Sequence, residues 1–121
     1  MKTNSFKDLI VWQKAIGLVD EVYKIANQLP KYEVYILVSQ ILRAAISIPS
    51  NIAEGHRRNS KAEFIHFLSI AIASAAELET QLVIAKRQYS NLDCKLADDL
   101  LQEVQKMLYV MIKNLKMTAV R

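Results

Sequence analysis

From Phe64 to Tyr89 one seam of apolar residues runs through Phe64, Leu68, Ala71, Ala75, Leu78, Leu82, Ala85 and Tyr89, with steps of four and three alternating throughout. That alternation holds one stripe on one side of an α-helix for its whole length, whereas a strand would need a period of two. Ser60-Lys61-Ala62-Glu63 stands before the stripe as a capping box, a hydroxyl and a carboxylate spaced to satisfy the free N–H groups of the first turn. The middle of the helix is crowded with small residues, Ser69, Ala71, Ala73, Ser74, Ala75 and Ala76, which let a neighbouring helix approach closely. The 121 residues hold only two glycines and two prolines. A chain with so few places to turn favours long helices over a many-stranded sheet.

Three further helices are readable. The first is expected from about Lys7 to Leu29, with a seam of Leu9, Trp12, Ile16, Val19, Tyr23 and Ala26, Ser5 as its N-cap and Pro30 as its stop. The second is expected to begin near Tyr32, with Val34, Leu37, Ile41, Ala44 and Ile48 on one face and Gln40, Arg43, Ser47 and Glu54 on a polar face. Pro49 cannot donate to the carbonyl of Ala45, so a kink is expected there, and Gly55 is the natural terminator. The last runs from about Asp93 to Met117 on Ala97, Leu101, Val104, Leu108, Met111 and Leu115. Short connections force sequential helices to pack antiparallel. The expected fold is all-α, an up-down-up-down four-helix bundle forming one domain over residues 1–121.

A bundle helix needs one apolar stripe. Helix one adds Ala15 and Val22 beside its seam, helix three adds Ile65, Ile72 and Val83, and helix four adds Leu96, Leu100, Met107 and Val110. Either the stripes face a thick core or the chain self-associates; excess on more than one helix favours self-association.

Antiparallel topology assigns each charge to an end. One end collects Lys2, Lys7, Arg57, Arg58, Lys61, Lys113, Lys116 and Arg121 against Asp8, Glu54 and Glu63. At the other end six carboxylates slightly outnumber five cations. The modest net charge of +4 therefore conceals a basic end, and a ring of parallel subunits would add those ends into one positive face suited to a phosphate backbone. The competing account is ordinary solvated helix ends, with Glu54 neutralising Arg57 or Arg58 one turn away.

Other chemistries find little support. Cys94 is the single cysteine, which excludes an internal disulfide framework and a cysteine-based zinc site and fits a reducing, cytoplasmic setting. The N-terminal residues are polar and carry no apolar core of a signal peptide. No uninterrupted apolar run approaches a membrane span, so no membrane partner is expected. Glu63-Phe64-Ile65-His66 has the Glu-x-x-His spacing of di-iron bundles, but no second copy occurs, and such a site needs two plus two further glutamates. No phosphate loop or nucleophile elbow is present. No cofactor, metal or enzymatic activity is expected. Asn51, on the helix-two seam, needs a buried partner, for which the carbonyl freed by Pro49 is a candidate. Arg43 and Glu54 read as an ion network at a subunit boundary, or as an anion clamp and a base in a catalytic reading.

Phe6-Lys7-Asp8-Leu9 with Val11-Trp12-Gln13-Lys14-Ala15, Gln40 with Arg43-Ala44-Ala45, Ser47-Ile48-Pro49-Ser50-Asn51-Ile52-Ala53-Glu54-Gly55, Glu63-Phe64 with Phe67-Leu68, and Ala75 through Leu82 occur in that order. Together they resemble the bacterial four-helix-bundle family named for proteins encoded in intervening sequences of 23S ribosomal RNA genes. The resemblance covers nearly the whole chain. It implies a closed bundle assembled into a homopentameric ring. Relatives include the accessory protein of diversity-generating retroelements, a basic pentameric barrel that binds nucleic acid and a reverse transcriptase. The resemblance thus implies RNA or DNA binding without catalysis. Relatives tend to carry two adjacent basic residues before the paired alanines; here Leu42 precedes Arg43, which shifts the expected contact surface to the basic end. The candidate nucleic-acid residues are Arg57, Arg58, Lys61, Lys7, Lys113, Lys116 and Arg43, and Pro49, Asn51, Glu54 and Gly55 form a structural or oligomer motif. The alternative is an oligomeric scaffold for a protein partner.

Overall fold

A computed structural model describes residues 5–119. Lys2 and Arg121, two of the charges assigned to the basic end, lie outside the described residues. Four helices follow in order: α1 (Ile10–Gln28), α2 (Leu37–Arg57), α3 (Lys61–Gln88) and α4 (Lys95–Ala119). The described residues contain no strand. Helix α1 packs on α2 and α4, and α3 packs on the same two, so α1 and α3 stand diagonally across an antiparallel bundle. The pairing of α2 with α3 is the most extensive.

The core is a column of Leu, Ile, Val and Ala drawn from all four helices. Leu18, Ile41, Ile48, Ile52, Leu68, Leu78, Leu82 and Leu108 are fully enclosed. Each such side chain contributes about 1.5–3 kcal/mol through removal from water. The seam foreseen for α3 is the one buried, from Leu68 to Ala85, with Phe64 and Tyr89 half-buried at its ends. In α4 the buried positions are Ala97, Leu101, Val104 and Leu108, with Met111 and Leu115 half-buried where the bundle thins.

Helix α1 departs from expectation. Its buried face is Val11, Ala15, Leu18, Val22, Ile25 and Ala26. Of the expected seam only Ala26 is buried; the rest lies on the adjoining stripe, where Leu9, Trp12 and Val19 are half-buried and Ile16 and Tyr23 are exposed. Both stripes are apolar at helical spacing, and the smaller residues face inward because they allow neighbours to close. Ser5 does not cap α1. Its Oγ accepts the N–H of Lys7 at 3.1 Å and caps a 3-10 turn at Phe6–Asp8.

Helix α2 also begins later than foreseen. Lys31–Glu33 form a 3-10 turn, and Val34 is exposed ahead of the first helical residue, Leu37. Pro49 sits inside a continuous helix with its ring buried. Gly55 is not the terminator, since α2 continues to Arg57 and no glycine among the described residues has positive φ. A Cβ at Gly55 would stand 2.8 Å from Phe67 Cβ and 3.3 Å from the Phe64 carbonyl oxygen. Glycine is needed there because α3 crosses too closely for any side chain. Asn51 does not reach the carbonyl freed by Pro49. It donates to the Ser47 carbonyl at 2.8 Å and to Ser47 Oγ at 2.9 Å. Ser47 Oγ in turn bonds the buried Ser74 Oγ at 2.7 Å, tying α2 to α3.

Helix α3 is long and apolar enough to cross a membrane by length and composition, with a mean hydropathy of 1.5 over its most apolar stretch. The unbroken-run reading of the sequence did not anticipate this. A third of that stretch is buried in the bundle core, while Ile65, Ile70 and Ile72 are only half-buried and Val83 and Ile84 are exposed.

Candidate nucleic-acid interface

The antiparallel path brings the start of α1, the end of α2, the start of α3 and the end of α4 to one end of the bundle. Side-chain contacts tie them together. The Arg57 guanidinium lies over the Phe6 ring at 5.4 Å, and Phe6 meets Trp12 edge-to-face with ring centroids 5.4 Å apart. Lys61 Nζ donates to Thr118 Oγ1 at 2.9 Å, joining the start of α3 to the last turn of α4. The Arg58 guanidinium lies over Phe67 at 4.9 Å and pairs with Glu54 at 2.8 Å and Glu63 at 3.5 Å.

Six of the seven candidate cations meet here: Lys7, Arg57, Arg58, Lys61, Lys113 and Lys116. With Asp8, Glu54 and Glu63 as the opposing carboxylates, the described part of this end carries an excess of three positive charges. All six cations are exposed. Only Arg58 is engaged by carboxylates; among the described residues Lys7, Arg57, Lys61, Lys113 and Lys116 have no ion pair within 4.0 Å. Arg57 and Lys116 also sit in the last turns of α2 and α4, where a cation complements the negative end of the helix dipole. The ring beneath Arg57 fixes the guanidinium without neutralising it. The result is a set of solvent-facing positive charges, of which Arg57, Arg58 and Lys61 are held by side-chain contacts.

Of the two one-turn pairings expected for Glu54, the one with Arg58 forms, and the Arg57 guanidinium rests on Phe6 instead. The capping box is half present: the Glu63 N–H donates to Ser60 Oγ at 3.1 Å, but the Glu63 carboxylate turns to Arg58.

Arg43 is separate. It lies on the exposed face of α2, 14 residues before Arg57, and so about 21 Å along the axis. Within the chain Glu54 pairs with Arg58 and not with Arg43. Arg43 lines a cleft of about 180 Å³ with Gln40, Ala44, Ser47, Ser74, Glu77 and Gln81. The sequence reading missed Phe6, Phe67 and Thr118 as supports of the basic end, because no periodicity pairs residues from different helix ends. It also missed the groove between α1 and α2, about 270 Å³, lined by Trp12, Ile16, Val19, Ile46, Pro49, Ser50 and Ala53.

No group of three or more His, Cys, Asp or Glu among the described residues could hold a metal ion. Burial pushes the Cys94 thiol upward, as does the Asp98 carboxylate. That keeps it protonated and a poor nucleophile.

Fold and site together define a small antiparallel four-helix bundle with one cation-rich end. The chain belongs to the family of 23S rRNA-intervening sequence proteins, whose model matches residues 7–110. It is similar to the crystal structure of a protein of unknown function from the S23 ribosomal protein family of Bacteroides thetaiotaomicron. That likeness has a TM-score of 0.75 at 26% identity and covers 86% of this chain and 99% of the other. No curated protein matches the chain.

Proposed function

We propose that the protein is a non-enzymatic homo-oligomer, a pentameric ring as the family resemblance implies, that binds structured RNA through its basic ends in a cytoplasmic setting. The observation that carries the nucleic-acid half is the cluster of Lys7, Arg57, Lys61, Lys113 and Lys116 at one end, exposed and, among the described residues, without carboxylate partners within 4.0 Å. Such charges act on phosphates by releasing counterions and supply little base discrimination. Assembly is supported by the apolar groove between α1 and α2, where Ile16 and Ile46 are exposed beside Trp12, Val19 and Pro49. A ring aligns five copies of the basic end and multiplies a modest charge into a strong field.

Light scattering on the protein alone and with a structured RNA, at low and moderate salt, tests both halves. The expected result is a pentamer that takes up RNA at low salt and releases it as salt rises. Arg57→Glu combined with Lys113→Glu should weaken binding and flatten the salt dependence, by roughly one unit of log–log slope per lost contact. RNA affinity indifferent to salt overturns the electrostatic reading, and a monomer overturns the assembly.

A second reading, a scaffold for a protein partner, has its own observation. The connection between α1 and α2 exposes Tyr32 (71%), Val34 (48%), Tyr35 (91%) and Ile36 (64%) at the end away from the basic cluster. Contiguous apolar exposure of this kind marks protein-binding surfaces. A pentamer that ignores RNA at low salt would shift the function to this loop.

A further inference from the structure

The cleft between α2 and α3 holds polar groups that the bundle leaves unused. Gln40, Arg43 and Ser47 line one wall, and Ser74, Glu77 and Gln81 line the other. The floor is satisfied internally, since Ser47 and Ser74 bond each other at 2.7 Å and Asn51 donates to Ser47. The walls are not. Arg43 and Glu77 carry opposite charges and line the same cleft, yet neither forms an ion pair within 4.0 Å among the described residues. Gln81 Oε1 is buried with no hydrogen-bond partner. A buried acceptor without a donor is costly and rare in native proteins. The cleft therefore presents two acceptor groups, Glu77 and Gln81 Oε1, opposite a donor-only guanidinium. Its volume of about 180 Å³ lies below the roughly 300 Å³ at which drug-sized pockets begin, and suits one small planar group.

We propose that this cleft takes the hydrogen-bonding edge of an unpaired guanine. The inference rests on the RNA-binding reading above and adds the base readout that the basic end lacks. Guanine alone among the four RNA bases carries two adjacent donor groups, N1–H and N2–H₂, beside two adjacent acceptors, O6 and N7. The Glu77 carboxylate accepts from N1–H and N2–H, Gln81 Oε1 accepts the second N2 hydrogen, and Arg43 donates to O6 and N7, as arginine commonly does with guanine. Adenine and cytosine each offer one exocyclic donor, and uracil one ring N–H, so each leaves a wall group unsatisfied. The cleft lies about 21 Å along α2 from Arg57, a span of a few unstacked nucleotides from the phosphate-binding end.

The experiment has two arms, both on the intact protein. The first compares, by fluorescence anisotropy, a short oligouridylate carrying one guanosine with the all-uridine strand. The expected preference for the guanosine strand is about tenfold. It should shrink when inosine, which lacks the N2 amino group, replaces guanosine, and vanish in Glu77→Gln. The second arm follows backbone amide NMR shifts with guanosine and uridine monophosphates at high salt, where the shared phosphate is screened. Guanosine monophosphate should perturb Arg43, Glu77 and Gln81, and uridine monophosphate should not. Equal affinity for both strands with equal shifts from both nucleotides overturns the inference and leaves the basic-end reading intact. Loss of RNA binding with the guanosine-specific shifts retained overturns that reading and supports the cleft. Silence in both arms overturns both. Glu77 and Arg43 are exposed, so unchanged helicity by circular dichroism will separate lost recognition from lost fold.

Discussion

The two glycines of this chain occupy opposite kinds of helix contact. Gly55 lies where α2 meets α3, and a Cβ there would press on Phe67 Cβ at 2.8 Å. Gly17 lies in α1, where the nearest neighbour of an added Cβ is Leu100 Cδ1 at 3.9 Å, an ordinary van der Waals distance. The first contact is closed to the limit of the backbone and bridged by the Ser47–Ser74 hydroxyl pair. The second has room, and α1 opens further into the groove it shares with α2. The bundle is thus a tight α2–α3 hairpin against which α1 packs less completely. Part of the exposed apolar surface, Ile16 and Ile46, lies in the groove between α1 and α2, which is where assembly is proposed.

Substitutions can break or sharpen that contrast. Leu78→Ala, deep in α3, should cost about 3 kcal/mol in urea unfolding, whereas Ile16→Ala on the groove should cost under about 1 kcal/mol in the isolated subunit. A similar loss at both sites would mean that the groove is packed as firmly as the core. Gly55→Ala should destabilise by about 1–3 kcal/mol through overpacking, despite alanine's better helix propensity. Gly17→Ala should stabilise by about 1 kcal/mol for that propensity alone. Opposite signs in thermal melts are the expected result; the same sign at both positions would remove the distinction between the junctions. Ser74→Ala should cost about 1 kcal/mol by stranding Ser47 Oγ with Asn51 as its remaining partner, and a double-mutant cycle with Ser47→Ala should show coupling between the two.

The smallest effect concerns the far end. The Tyr89 phenol donates to the Glu33 carboxylate and lies 3.2 Å from the Tyr32 hydroxyl. The hydrogen bond to Glu33, reinforced by Tyr32, holds the Tyr89 hydroxyl protonated well above its ordinary value of 10.0. A raised phenol pKa in the folded state means that the contribution is complete below that ordinary value. It is lost as pH climbs beyond it, because only the unfolded chain then ionises. Glu33→Gln should bring Tyr89 ionisation to lower pH by ultraviolet absorbance. An unchanged titration would show that the carboxylate does not hold this loop.

The legibility of the fold varied with how clearly one seam stood out on each helix. Helix α3 carries Ile65, Ile72 and Val83 beside its seam, but only the seam keeps an unbroken alternation of steps, so Leu68 to Ala85 is readable from spacing alone. Helix α1 presents two side by side, Val11-Ala15-Leu18-Val22 and Trp12-Ile16-Val19-Tyr23, and periodicity cannot rank them. The bulkier pattern draws the eye while the more compact one fills the core. Gly55 reads as a stop because glycine often ends helices, but here the cause is the approach of a distant helix, which no local pattern encodes. The basic end was legible because antiparallel topology assigns every charge to an end. Its aromatic supports, Phe6 and Phe67, were not, and neither was the polar cleft, since each depends on the registration of two helices.

The connection between α2 and α3 spans only Arg58, Asn59 and Ser60. The largest interhelix surface in the molecule is therefore also among its most local in sequence. Closing so short a loop sacrifices little chain entropy, and structures rich in such local contacts fold fast. Substitutions along this hairpin are accordingly expected to slow folding, whereas those on the groove side of α1 should mainly hasten unfolding. On that ordering Arg57, Arg58 and Lys61 are drawn together when the hairpin forms, before the outer helices have docked.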